Sequence, residues 1–103
     1  MSFPYITTSY ENGASGYIVF SNKLCIQWGH GTGGKYNSAG TINLLKTYKN
    51  TNYIAHATCF GGSYAMESAY IQTKTTSSIA IVTGFNANAV VLNVDWFAIG
   101  YIA

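Results

Sequence analysis

The sequence predicts an all-β domain: a small antiparallel β-sandwich of about six to eight short strands. Three observations carry this expectation. Apolar residues recur with a period of two, not 3.6, in short runs. Clusters of Gly, Asn, Ser and Thr separate those runs. No window of about twelve residues combines a helical apolar stripe with capping residues.

Taken in order, residues 1–16 are polar and irregular. They are expected to form a lead-in segment, the end of a shaft or a linker, before a sandwich domain over 17–103. Strands are expected near 17–20 (YIVF), 24–28 (LCIQW), 41–45 (TINLL), 53–60 (YIAHATCF), 66–73 (MESAYIQT), 79–83 (IAIVT), 89–94 (AVVLNV) and 96–102 (WFAIGYI). β-Branched and aromatic residues fill them, and the sole proline, Pro4, lies outside them. The connectors are 21–23, 29–40, 46–52, 61–65, 74–78 and 84–88.

Several strands are apolar on both faces. In the last, Trp96, Ala98 and Gly100 alternate with Phe97, Ile99 and Tyr101. In 24–28, Leu24, Ile26 and Trp28 alternate with Cys25 and Gln27. One face lines the sandwich core. The other needs a second cover, either as a central barrel strand or in an oligomer interface. Scarce charge favours the interface, with Trp28, Trp96, Phe97, Ile99 and Tyr101 divided between core and contact. The small residues Ala98 and Gly100 would let another backbone approach their face.

Composition excludes several classes. Only 8% of the 103 residues are charged, with no Arg and a net charge of +2, where a typical soluble domain is about 25% charged. Disorder needs the opposite balance. Five Lys are too few to neutralise many phosphates, so no nucleic-acid partner is expected. No apolar run reaches the roughly 18 residues of a membrane helix, and no membrane insertion is expected. The opening MSFPYITTSY lacks the basic and apolar regions of a signal peptide. Cys25 and Cys59 form no CxxC; they either pair or, the favoured reading, act as small buried hydrophobes.

Three ordered motifs carry a family resemblance. They are Gly16-Tyr17-Ile18 running to Leu24-Cys25-Ile26-Gln27-Trp28-Gly29, then Tyr48-Lys49-Asn50-Thr51-Asn52-Tyr53, then Trp96-Phe97-Ala98-Ile99-Gly100-Tyr101. Over residues 16–101 the chain resembles the C-terminal receptor-binding domain of phage and prophage tail fibres. The family's Pro-Asn-Gly turn is here Ser21-Asn22-Lys23, so Asn22 or Lys23 must take the positive φ that glycine accepts cheaply. The resemblance implies a compact sandwich similar to the H-type lectin fold. It implies a homotrimer at the fibre tip of a virion, made in the host cytoplasm. The role it implies is attachment to a bacterial surface polysaccharide or outer-membrane receptor.

The residues themselves offer little chemistry of catalysis. Glu11, Glu67 and Asp95 are the only carboxylates, and a glycosidase needs two flanking a cleft. Glu67 reads as a strand-surface charge and Asp95 as a cap or bend of the last strand. His56 shares a face with Ile54 and Thr58 and reads as a satisfied buried imidazole; His30 sits in a flexible Gly29-His30-Gly31. Residues 29–34 (GHGTGG) lack the GxxxxGK[ST] pattern of a phosphate loop. No enzyme activity, metal or cofactor is expected.

Recognition chemistry is better represented. Tyr offers a stacking surface and a hydroxyl, and Asn, Ser and Thr offer uncharged donors and acceptors. If successive strands run up and down, connectors 21–23, 46–52 and 74–78 meet the C-terminus at one end. The lead-in, 29–40, 61–65 and 84–88 meet at the other, and the first set is then distal to a shaft. The first-choice ligand-binding residues are Lys23, Tyr48, Lys49, Asn50, Asn52 and Lys74. The second choice, at the Gly-rich end, is Lys35, Tyr36, Asn37 and Tyr64. The expected function is a non-enzymatic, trimeric tail-fibre tip that binds a bacterial surface glycan. The alternatives are a structural knob that drives trimerisation, a cellular adhesin or tailocin fibre using the same domain, and a polysaccharide depolymerase.

Overall fold

The computed structural model describes residues 3–35, 37–60, 68–84 and 91–103. Its strands are β1 (Ile6–Asn12), β2 (Ser15–Phe20), β3 (Leu24–Thr32), β4 (Gly40–Asn43), β5 (Ile54–Phe60), β6 (Ser68–Lys74), β7 (Ser78–Gly84) and β8 (Asn93–Tyr101). They form two antiparallel sheets, one ordered β1-β2-β3-β8-β5 and one ordered β4-β7-β6. An all-β antiparallel architecture is what the period-two pattern predicts.

The local chemistry of the turns explains the first hairpins. β1 and β2 are joined through Gly13, whose φ of 64° needs no side chain to be accommodated. β2 and β3 are joined by 21–23, and the positive φ falls on Lys23, at 75°. The Lys23 amide donates to the Phe20 carbonyl at 2.9 Å, and Asn22 Oδ1 accepts from the Leu24 amide at 3.1 Å. Asn22 thus spends its side chain on the turn, while Lys23 carries the left-handed backbone.

The strands cross between sheets, yet each runs opposite to its predecessor. The connectors therefore separate into two ends. Turn 21–23, segment 44–53, turn 75–77 and the C-terminus gather at one. The Lys49 amide donates to the Tyr101 carbonyl, Ile102 to Lys23, Tyr48 to Thr76 and Leu44 to Ser77. At the other end lie Gly33 and Gly34, hydrogen-bonded to Leu92, Ile81 and Thr83.

The lead-in departs from expectation. Residues 6–12 are a regular edge strand, not an irregular segment, and the hairpin turns the chain back on itself. The Ser21 amide donates to the Tyr5 carbonyl at 2.7 Å. Residues 3–6 therefore lie at the lysine-bearing end, not opposite it. The topological ground for calling that end distal is removed. β1 escaped the pattern because all seven of its residues are exposed, so it has no buried face to alternate.

The core lies between the sheets. The larger sheet contributes Val19, Cys25, Val94, Trp96 and Ala98, and the smaller contributes Ile42, Ile79 and Ile81. Tyr48 and Tyr53 close one end, stacked at 4.3 Å between ring centroids. Cys25 and Cys59 are both free thiols. Gln27 is fully buried and fully used. Its Oε1 accepts from the Leu45 and Lys46 amides at 2.8 and 3.0 Å, and its Nε2 donates to the Lys46 carbonyl at 3.0 Å. That clasp draws the chain away from the sheet after Asn43, so the strand expected over 41–45 stops early.

Other departures share one cause, the exposure of the larger sheet's outer face. β3 continues to Thr32, so His30 is a strand residue and not part of a loop. The break expected between 94 and 96 is absent. Asp95 lies within β8, between His30 of β3 and Thr58 of β5, with its side chain exposed, so nothing forces a bend. His56 is exposed instead of buried and stacks on Phe97 at 5.2 Å. Gly100 and Ala98 face inward. A Cβ on Gly100 would stand 2.4 Å from Tyr53 Cβ, so the close backbone approach is made by this chain's own Tyr53.

Candidate functional site

Register brings a continuous apolar surface onto the outer face. Leu24 opposes Tyr101, Ile26 opposes Ile99 and Trp28 opposes Phe97 across β3 and β8; Ile54 and His56 oppose Ile99 and Phe97 across β5 and β8. Side chains opposite one another in an antiparallel pair share a face. Phe97, Tyr101, Phe60 and Ile54 remain 46–56% exposed. Of the five residues expected to divide between core and contact, Trp96 is in the core, and Trp28, Phe97, Ile99 and Tyr101 line this face.

At the lysine-bearing end the face runs into an open pocket of about 490 Å³. It is lined by Leu24, Ile54, Ile99, Gly100 and Tyr101 from the sheet, and by Lys49, Asn50, Asn52 and Tyr53 from the connector before β5. The connector is held in place by backbone. The Lys49 amide bonds the Tyr101 carbonyl, and Asn50 Oδ1 accepts from the Asn52 amide at 3.0 Å, an Asx-type turn. The Lys49 ammonium stands 5.6 Å from the centre of the Tyr101 ring.

The first-choice residues do gather at one end, but not as one site. Lys49, Asn50 and Asn52 line the pocket. Lys23 occupies its turn nearby, its carbonyl accepting from Ile102. Lys74 is turned inward: its ammonium donates to the Tyr53 carbonyl and sits over that ring. Tyr48 is not a surface group. It is 2% exposed, and its hydroxyl donates to the Cys25 carbonyl at 3.1 Å. Burial drives its pKa well above the ordinary tyrosine value. Tyr53, also buried, is pushed up to about 12, and burial raises the Cys25 thiol as well. Tyr53 and Tyr101, the residues that wall the pocket, were read as motif and core positions; the pairing of the C-terminal strand with the connector is not visible in sequence spacing.

Of the second-choice residues, Lys35 and Asn37 are exposed at the other end. Tyr36 and Tyr64 lie outside the described residues, as does Glu67. Glu11 lines a separate shallow cleft of about 270 Å³ with Ser9, Tyr10, Tyr17, Ile18 and Trp28. Asp95 lies on the outer face of β8, so the described residues place no two carboxylates in one cleft.

Residues 18–101 match the family described as putative tail fiber protein gp53-like, C-terminal. The chain belongs to this family. It is a tail-fibre C-terminal domain, as the three sequence motifs led one to expect. No curated protein matches it. Among solved structures, an N-truncated R2-type pyocin tail fibre is similar at 23% identity and a TM-score of 0.66, over 91% of this chain and 38% of that one. The R1 pyocin fibre of P. aeruginosa, residues 323–701, is similar at 14% identity and a TM-score of 0.62, over 91% of this chain and 28% of that one. An N-truncated R1-type pyocin tail fibre is similar at 13% identity and a TM-score of 0.61. The tail-fibre domain thus shares its fold with pyocin fibres, and it spans roughly a quarter to two-fifths of the first two chains.

Proposed function

We propose that this tail-fibre domain is a non-enzymatic, homotrimeric tip that binds a bacterial surface receptor, a glycan, for host attachment. The observation that carries the reading is the pocket walled by Tyr101 and Ile54 and rimmed by Lys49, Asn50 and Asn52. An aromatic ring and aliphatic walls suit the C–H face of a sugar, and amides suit its hydroxyls. The exposed apolar face beside the pocket supports assembly from copies of this chain. Three copies turn weak single-site contacts into avidity when the receptor repeats within reach.

The apolar face alone favours a second reading, a structural knob that only seeds trimerisation. Whole-cell binding separates the two. Labelled full-length chain is expected to saturate on a susceptible bacterial strain, and Lys49→Ala or Asn52→Ala is expected to weaken binding at least about tenfold while oligomer mass is kept. Saturable binding that neither substitution changes would place the receptor site elsewhere. No saturable binding on any strain of a broad panel would leave the knob. For assembly, Phe97→Glu is expected to yield a folded monomer by light scattering, since it puts a charge in the middle of the apolar face.

A further inference from the structure

We infer that the pocket takes an acidic sugar, a saccharide unit carrying a carboxylate or a phosphate, with Lys49 as the group that meets the anion. This rests on the receptor-binding reading above and goes further by naming the ligand's charge.

Lys23 is exposed in its turn but does not line the pocket. Lys46 is half-buried, with its ammonium 4.8 Å from the centre of the Tyr17 ring. Lys74 is bound to the Tyr53 carbonyl. Lys49 is exposed, lines the pocket, and has its ammonium over the Tyr101 ring, 5.6 Å from its centre.

No lining residue is acidic. Glu11 and Asp95 lie toward the opposite end, near the β1–β2 turn and the start of β8. The pocket's polar groups are also biased toward donation. Asn50 Oδ1 is already taken by the Asn52 amide, which leaves the Asn50 and Asn52 NH₂ groups, the Lys49 ammonium and the Tyr101 hydroxyl to donate, against Asn52 Oδ1 and the Tyr101 oxygen as side-chain acceptors. A donor-rich pocket with one unneutralised cation and no carboxylate favours an anion over a neutral polyol. Leu24, Ile54 and Ile99 give the sugar ring an apolar bed.

The test is a titration of the ¹⁵N-labelled full chain with three probes: glucuronic acid, glucose 6-phosphate and glucose. It is run at about 20 and about 200 mM NaCl, which brackets strong and weak screening. At least one acidic probe is expected to shift the Asn50, Asn52 and Tyr101 amides at about fivefold lower concentration than glucose, with the advantage shrinking at the higher salt. Which of the two acidic probes does so separates carboxylate from phosphate. Lys49→Gln is expected to bring the acidic probe down to the level of glucose. Asn52→Asp, which adds a carboxylate to the rim, is expected to abolish the acidic preference by a different route. Equal response to glucose, shifts that map away from the pocket, or a preference that survives both substitutions would overturn the proposal. If whole-cell binding depends on the pocket while these probes show no charge preference, the ligand class falls and the receptor reading stands. If cells are not bound at all, the receptor reading itself falls.

Discussion

Lys23 holds a left-handed φ of 75° in the turn between β2 and β3. That conformation costs a residue with a Cβ about 1–2 kcal/mol, while glycine's extra chain entropy costs about 0.5–1 kcal/mol. Lys23→Gly is therefore expected to stabilise the domain by up to about 1 kcal/mol, read as a rise of a few degrees in the calorimetric midpoint. Gln27 has the opposite character. Gln27→Met keeps the volume but strands the Leu45 and Lys46 amides and the Lys46 carbonyl, so a loss of about 2–4 kcal/mol is expected in denaturant unfolding. The strain in 21–23 was legible through the family resemblance, because Lys23 stands where the family's turn has glycine. The role of Gln27 was not, since its partners lie 18 and 19 residues away. Tyr48 misled for a similar reason. Lysine and asparagine flank it, so its neighbourhood reads as solvent, but the hydroxyl finds the Cys25 carbonyl and the ring goes inside.

At the scale of elements, β8 shows how a two-sided strand is resolved. Val94, Trp96, Ala98 and Gly100 face inward, Gly100 against the connector that carries Tyr53, and Phe97 and Tyr101 face outward. Gly100→Ala forces a methyl into Tyr53, and a destabilisation of about 1–3 kcal/mol is expected, measured by urea unfolding. Both faces of β8 were visible as apolar from the alternation. Which one turned inward was not, because that depends on what the other sheet and the connector supply. Strands with a strongly buried face, such as β3 and β7, were legible for the reason that β1 was not. Alternation records burial, and β1 has none to record.

At the scale of the molecule, the division of connectors between two ends followed from supposing that every strand reverses its predecessor, and the C-terminus falls at the expected end because 93–101 is one strand. Pairing order was invisible, and so was the doubling back of residues 3–12 that moves the chain's entry. The buried phenols and thiol set the domain's alkaline limit. Tyr48, Tyr53 and Cys25 all have pKa values raised by burial in the folded state. A raised pKa means the folded chain keeps protons that the unfolded chain releases, so this contribution is intact below about pH 9 and falls as pH rises past the ordinary thiol and phenol values. Urea midpoints are expected to be flat from about pH 7 to 9 and to drop steeply above about pH 10, and Tyr53→Phe is expected to make the drop shallower.

The few charges have one more consequence. Among the described residues Lys23, Lys46, Lys49 and Lys74 sit at one end, and Glu11 and Asp95 lie toward the other with the single cation Lys35. Such a molecule is an electric dipole along the strands as well as a weak cation. In the field of a negatively charged surface it experiences a torque before it makes any contact, and it turns so that the lysine end leads. The torque operates only within about a Debye length, roughly 8 Å at physiological salt. The orienting field therefore acts on the domain only over about the last nanometre of approach.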